Sequence, residues 1–162
     1  MNIDQIIIFK SKIGNILIST KNNKITKTDI TQNNIYISNN DLLINAKKQI
    51  LEYLSSKRKV FNLPISPSGT DFQKKVWNEI LKIPYGTTTS YYNISNILKS
   101  SPRAIGHACG RNPILIFIPC HRVVSKSSNL TGFSALGGIK TKRNILKIES
   151  SLFNKNISYT CA

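Results

Sequence analysis

The stretch "TSYYNISNILKSSPRAIGHACG", residues 89–110, decides how the second half of this chain folds. Ser90 stands at an N-cap position ahead of "YYNISNIL", and the polar link "KSSP" separates that segment from "RAIGHACG". Ser101 then offers a second cap, with Pro102 at the first helical position. Two short helices joined by a few polar residues describe a helix-turn-helix. Arg103 falls in the first turn of the second helix, where the helix dipole disfavours a cation by roughly 0.3–1 kcal/mol. Either the side chain simply extends into water, or an external anion or a function compensates. Gly106, Ala108 and Gly110 leave that helix little bulk, although glycine is costly inside a helix. Small residues let another backbone come close, whether that of DNA or that of the preceding helix.

Upstream, "TDFQKKVWNEILKIPYG" reads as a longer helix: Thr70 and Gln73 form a capping box, and Phe72, Val76, Trp77, Ile80 and Leu81 make one apolar face. Pro84 and Gly86 stop it. Downstream, "ILIFIPCHRVV", residues 114–124, predicts a hydrophobic strand that must end at Pro119, because proline cannot donate to a ladder. Cys120 and His121 are thereby delivered to a turn at the edge of the core. A polar loop, "SKSSNLTGFSALGG", leads to a last amphipathic helix from about Lys140 to Phe153.

The first half differs in character. "IIIFK", "GNILIST", "KITKTDI" and "NIYIS" are short β-branched runs with turn-forming residues between them, which predicts a small antiparallel sheet. "DLLINAKKQILEYLSS" follows as a helix with Asp41 as N-cap. "LPISPSG" marks the linker, so the expected organisation is a β-sheet and helix domain over 1–66, a mostly helical domain over 67–153, and a tail over 154–162. The fold class expected is mixed α/β (α+β).

Composition narrows the function. A formal charge of +16 makes a polyanion the natural partner, because Lys and Arg release counterions when they dock on phosphates. The bias toward Ile, Lys and Asn offers a compositional explanation too. Residues 67–162 carry thirteen basic and three acidic side chains against ten and four in residues 1–66, so the second half is the expected binder. No run is long and apolar enough for a membrane span, and "MNIDQIIIFKSKIGN" is unlike a secretory signal. A cytoplasmic, reducing location is expected, and three cysteines at unrelated spacings do not make a disulfide framework.

The chemistry-bearing pair is Cys120 and His121. Buried cysteine is common in strands, but Pro119 argues for a turn, and a free thiol near pKa 8.5 is only a few per cent thiolate at neutral pH. A nucleophile needs a base or a positive neighbour, and His121 and Arg122 supply both kinds. Adjacent side chains seldom face each other, so a bridging water is the better link from thiol to imidazole. A third group should orient the ring, and the carboxylates of the second half are Asp71, Glu79 and Glu149. A metal site built from His107, Cys109, Cys120 and His121 is disfavoured, because residues 107 and 109 point to different sides of a helix.

"GTDFQKKVWNEILKIPYGTTTSY", "RAIGHACGRNP", "IPCHRVV" and "TKRNILKIE" follow one another at the spacing of the O6-alkylguanine-DNA alkyltransferases, and the chain resembles that family over residues 69–149. The resemblance implies a ribonuclease H-like N-terminal domain and a winged-helix-like C-terminal one. It implies irreversible transfer of an alkyl group from O6 of guanine, or O4 of thymine, in double-stranded DNA to Cys120. His121 would act through a water, Glu149 would hold the imidazole, and Asn112 would brace the active-site turn. Tyr91 would crowd the target phosphate and assist the departing guanine, while Arg103 would enter the base stack in place of the flipped nucleotide. Gly106 and Ala108 would let the recognition helix sit in the minor groove, and Arg122 and Ser134 would contact DNA or substrate. The loop here reads "GFSALGG" where the family commonly has "GYxGG", with Phe133 for the tyrosine. No metal, nucleotide or methyl-donor cofactor is implied, and a monomer is expected. The rival from another class is a non-catalytic module that flips alkylated bases and flags them for other machinery. The cysteine favours the enzyme.

Overall fold

Residues 4–127 and 130–150 are described here by a computed structural model. The chain divides into two units, Met1–Ser68 with Pro113–Phe117, and Gly69–Asn112 with Ile118–Ala162.

In the first unit β1 (Gln5–Phe9), β2 (Asn15–Lys21) and β3 (Lys24–Thr31) form an antiparallel meander in that spatial order. Alternation decides which face is inside: Ile16, Ile18 and Thr20 of β2 point inward, and their intervening neighbours are partly exposed. Asn22 and Asn23 join β2 to β3 with φ of 51° and 56°, the left-handed pair that matches the twist of a tight hairpin. Helix α1 (Asp41–Leu54) packs on β1 and β2 and buries Leu43, Ala46, Ile50, Tyr53 and Leu54. Its cap is Asn40, one residue before the expected Asp41: the Asn40 side chain accepts from Leu43 N at 3.0 Å, and Asp41 lies in the first turn.

Two sequence expectations fail in this unit. "NIYIS" is no full strand. Only Tyr36 pairs with Ile8, through bonds of 2.9 and 3.0 Å, while Ile35 and Ile37 stay exposed, with no further strand among the described residues pairing there. The apolar run after Asn112 is no strand either. Thr28 N donates to Pro113 O at 3.0 Å and Leu115 N to Thr28 O at 3.2 Å, which ties the run to β3 for a single bridge. Ile116 then turns at φ 73°, with Phe117 N donating to Leu115 O at 2.9 Å, a γ-turn. A β-branched residue with positive φ is strained, and Ile116 is held there by near-complete burial. Phe117 ends the segment against the Phe61 ring, centroids 4.6 Å apart. A boundary near residue 66 therefore does not account for Pro113–Phe117, which return to the first unit because their apolar side chains complete its core.

The second unit follows its caps. Helix α2 (Asp71–Leu81) opens on the Thr70/Gln73 capping box, with Gln73 N to Thr70 Oγ1 at 3.1 Å and Thr70 N to Gln73 Oε1 at 3.0 Å. Val76, Trp77 and Ile80 are buried, whereas Phe72 and Leu81, expected on the same face, lie at its margins and are exposed. Strand β4 (Thr89–Ser90) runs into α3 (Tyr91–Leu98), capped by Ser90, and α4 (Pro102–Gly110) is capped by Ser101, whose Oγ accepts from Ala104 N at 3.2 Å. Helix α4 packs on α2 and α3, and Trp77 Nε1 donates to Ala108 O at 3.0 Å. After a 3-10 turn at Cys120–Arg122, β5 (Val123–Val124) pairs in parallel with β4. Helix α5 (Gly138–Glu149) begins two residues earlier than expected. Gly137 supplies the left-handed entry at φ 87°, and a Cβ there would collide with Thr141 Oγ1. The helix ends at Glu149, short of the expected Phe153, because Ser150 leaves it in extended backbone at φ −141°; the tail over 154–162 lies outside the described residues. Among the described residues no helix is long and apolar enough to cross a membrane.

Candidate active site

Three local devices deliver Cys120. Pro119, at φ −82° and ψ 63°, makes an inverse γ-turn in which Cys120 N donates to Ile118 O at 2.8 Å. The 3-10 turn follows at once, so consecutive residues face different neighbours. Asn112, two residues past α4, then spans the turn: its Nδ2 donates to Ile118 O at 2.9 Å and to Cys120 Sγ at 3.1 Å. One buried amide thus connects the end of the helix-turn-helix to the thiol.

Cys120 is 4% exposed and lines a cavity of about 760 Å³ together with Tyr91, Arg103, Gly106, Cys109 and Ser134. Burial pushes its thiol pKa up, as does the neighbouring Cys109 thiol, while the Asn112 hydrogen bond and the Lys142 charge pull the other way. The resting group is therefore a neutral thiol. Making it a nucleophile requires a proton acceptor.

His121 is fully buried behind it. Its Nε2 lies 2.7 Å from Glu149 Oε1. Burial lowers the imidazole pKa despite that carboxylate, so the ring is neutral at neutral pH and able to accept a proton. For Glu149 burial alone would raise the pKa, but hydrogen bonds and charge from His121 and Arg122 outweigh it and bring it down to about 2. The Arg122 guanidinium grips this carboxylate, with Nε at 3.1 and 3.0 Å from Oε1 and Oε2 and Nη2 at 2.7 Å from Oε1, and its Nη1 donates to Ile83 O at 2.7 Å. Of the carboxylates the sequence left open, Glu79 pairs instead with Lys82 at 2.7 Å, and Asp71 sits in the first turn of α2.

Two expected contact residues are corrected. Arg122 is no surface group: it is 7% exposed and spends its donors on Glu149 and Ile83, because a buried guanidinium needs a buried anion. Ala108 is 1% exposed against α2, with its carbonyl taken by Trp77, so the packing reading of the small-residue helix holds for this position. Gly106 differs. It faces the cavity, and a Cβ there would meet only Tyr91 ring carbons at 3.8 and 3.9 Å. Arg103 is exposed at the cavity rim, and Ser134 lines its far wall. His107 is exposed on α4, and among the described residues no cluster of His, Cys, Asp or Glu is arranged to hold a metal.

Lys142 escaped the sequence reading. It is completely buried, donating to Val123 O at 2.6 Å, Thr131 O at 3.1 Å and Tyr91 Oη at 3.4 Å. Burial brings it down to about 8, and burial takes Tyr91 up to about 12, so at neutral pH the lysine is largely charged and the phenol keeps its proton. A signal for it existed: Lys142 and Glu149 are seven apart and share one face of α5 with Ile145 and Leu146, two charged residues inside an apolar stripe. The loop forming the far wall is anchored by Leu130 against Val124 and Leu146.

The model of the 6-O-methylguanine DNA methyltransferase DNA-binding domain matches residues 71–151. Over 154 residues the chain is 38% identical to the constitutive methylated-DNA–protein-cysteine methyltransferase of Bacillus subtilis, covering 86% of this chain and 92% of that protein. The inducible methylated-DNA–protein-cysteine methyltransferase of the same organism is 42% identical over 117 residues, 71% of this chain; the match spans 64% of that longer relative. A crystal structure of Mycobacterium tuberculosis OGT in complex with DNA superposes with a TM-score of 0.78 at 33% identity, covering 88% of this chain and 90% of that one.

Proposed function

The chain belongs to the 6-O-methylguanine DNA methyltransferase family, and from that premise we propose that it repairs DNA by moving an alkyl group from O6 of guanine, or O4 of thymine, onto its own Cys120. One observation carries the reading: a cysteine lining a cavity roomy enough for a base is backed by a neutral, buried imidazole that a carboxylate orients. His121 takes the thiol proton through a bridging water. Glu149 stabilises the imidazolium that results, and Arg122 keeps Glu149 ionised. The Lys142 ammonium favours the thiolate as it forms.

Sulfur then attacks the alkyl carbon in line. The S–C bond forms, the C–O bond breaks, and the electron pair stays on guanine, which needs a proton donor or a hydrogen bond. Tyr91, still protonated, serves there. The thioether is not cleaved again, so each molecule acts once. No cofactor enters this scheme. DNA is the partner, engaged by the helix-turn-helix in the minor groove with the target nucleotide everted into the cavity, and the protein acts as a cytoplasmic monomer. Asn112 keeps the thiol in register with the recognition helix, and Ser134 with its loop closes on the guanine.

Intact-mass spectrometry after mixing with a duplex containing O6-methylguanine tests this. The protein gains one methyl group, on the peptide carrying Cys120; an unmodified protein that still binds the duplex supports the damage-flagging module instead. Arg103 provides a second expectation. Its alanine variant slows repair of duplex DNA by about tenfold or more, because the intruding side chain compensates a few kcal/mol of unstacking, yet it reacts normally with free O6-benzylguanine. Equal losses on both substrates exclude a role in eversion.

A further inference from the structure

The reaction leaves one reactive group beside its centre without a task. Cys109 sits in the last turn of α4, is 8% exposed and lines the same cavity as Cys120. Both side chains are buried at the wall of that one cavity, the Cys109 thiol is near enough to push the Cys120 pKa up, and neither belongs to a disulfide. They stand on separate elements, the end of a helix and the start of the 3-10 turn, with Asn112 bonded to the second of them. The cavity that admits a base also admits small oxidants, and the acceptor that removes the proton from Cys120 for alkyl transfer yields the thiolate that a peroxide reaction also requires.

We propose that Cys109 is the resolving thiol of Cys120: in the presence of a hydroperoxide the two form an intramolecular disulfide that reversibly closes the alkyl-acceptor site. In the first step the Cys120 thiolate attacks one peroxide oxygen, the O–O bond breaks, and the released hydroxide takes up the proton Cys120 lost, leaving a sulfenic acid and one water. Cys109 sulfur then attacks the sulfenic sulfur. The S–S bond forms, the S–O bond breaks, and hydroxide leaves with the Cys109 proton as a second water. Two thiols lose two electrons in total and hydrogen peroxide gains them. A dithiol reverses the bond by exchange. Without a neighbour the sulfenic acid goes on to sulfinic acid, which is not recovered, so the second thiol protects a group that the protein uses once.

The proposal rests on the assignment of Cys120 as alkyl acceptor only for its consequence, since the crosslink is detected independently of DNA. The experiment treats the full chain, and a Cys161→Ser variant that removes the remaining thiol, with hydrogen peroxide. Free thiols are then blocked with N-ethylmaleimide and the unreduced protein is weighed and digested. The expected result is loss of two hydrogens, a peptide crosslink joining Cys109 to Cys120, and loss of reaction with O6-benzylguanine that dithiothreitol restores. Cys109→Ser should instead gain two oxygens on Cys120 and stay inactive after reduction. Sulfinic acid at Cys120 in the parent protein with no such crosslink, or a crosslink to Cys161 alone, overturns the proposal. Failure to react with O6-benzylguanine before any peroxide is added counts against the alkyl-transfer reading and leaves the crosslink result to stand or fall by itself. If Cys109→Ser does not fold, the crosslink map of the Cys161→Ser protein decides alone.

Discussion

Cys120→Ser takes up no methyl group from O6-methylguanine DNA, and its rate falls by more than about 10⁴-fold, the scale seen when a covalent nucleophile is deleted. The reason is electronic. A serine hydroxyl at this position meets the same burial that already raises the thiol, and from a far higher starting pKa, so His121 cannot strip it at neutral pH. The structural cost is small, because Asn112 Nδ2 can donate to oxygen as it does to sulfur at 3.1 Å and the fold around the turn is unchanged. The variant therefore keeps its affinity for duplex DNA, measured by fluorescence anisotropy, while mass spectrometry reads no adduct. A methyl group appearing elsewhere on the variant, for instance on Cys109, removes Cys120 from its place as acceptor.

Glu149→Ala unfolds the site from behind. The carboxylate has no exposed side-chain surface and holds both His121 and Arg122, so its removal leaves a buried guanidinium without its anion. Breaking such a pair costs about 3–5 kcal/mol, which for a chain of this size lowers Tm by roughly 6–20 °C. Alkyl transfer falls with it, since nothing then orients the imidazole. Stability and chemistry separate in the double variant Arg122→Met with Glu149→Leu. Apolar replacement of both partners recovers most of the Tm, as such replacements often do, and leaves the reaction rate low. Recovery of both together excludes any part for Glu149 in the chemistry. The same group sets a pH signature. Its folded pKa of about 2 lies below the ordinary 4.5, so its contribution is complete above 4.5 and is lost as pH falls through about 2. Acid titration of the parent protein shows that loss, and Glu149→Gln flattens it. The rate at higher pH rises instead, because the buried thiol gives up its proton more readily there.

Local physics was legible in the residues alone. The capping box of Thr70 and Gln73, the caps at Ser90 and Ser101, and Pro102 at a helix start are interactions within one turn of chain, and each formed where its residues stand. The alternation of β2 and β3 was legible for the same reason: side-chain period and a two-asparagine turn need no distant partner. "NIYIS" and the run 114–118 carried the same composition and became a single bridge and a pair of γ-turns. An apolar run states that a segment is buried, and it does not state whether another strand is there to receive its backbone donors. The pair Cys120 and His121 was visible as a motif, whereas the interior place of Arg122, the burial of Lys142 and the place of Cys109 on the same cavity as Cys120 were decided only when α4, α5 and the turn came together.

A buried charged side chain goes where its polar partner is. That partner lies 27 residues away for Arg122, and the carbonyl that holds Lys142 lies 19 away. Sequence determined which groups were present and which turns would form. Tertiary packing decided which of those groups meet without water, and that sets their protonation, because removing solvent strengthens each pairing and penalises each unpaired charge.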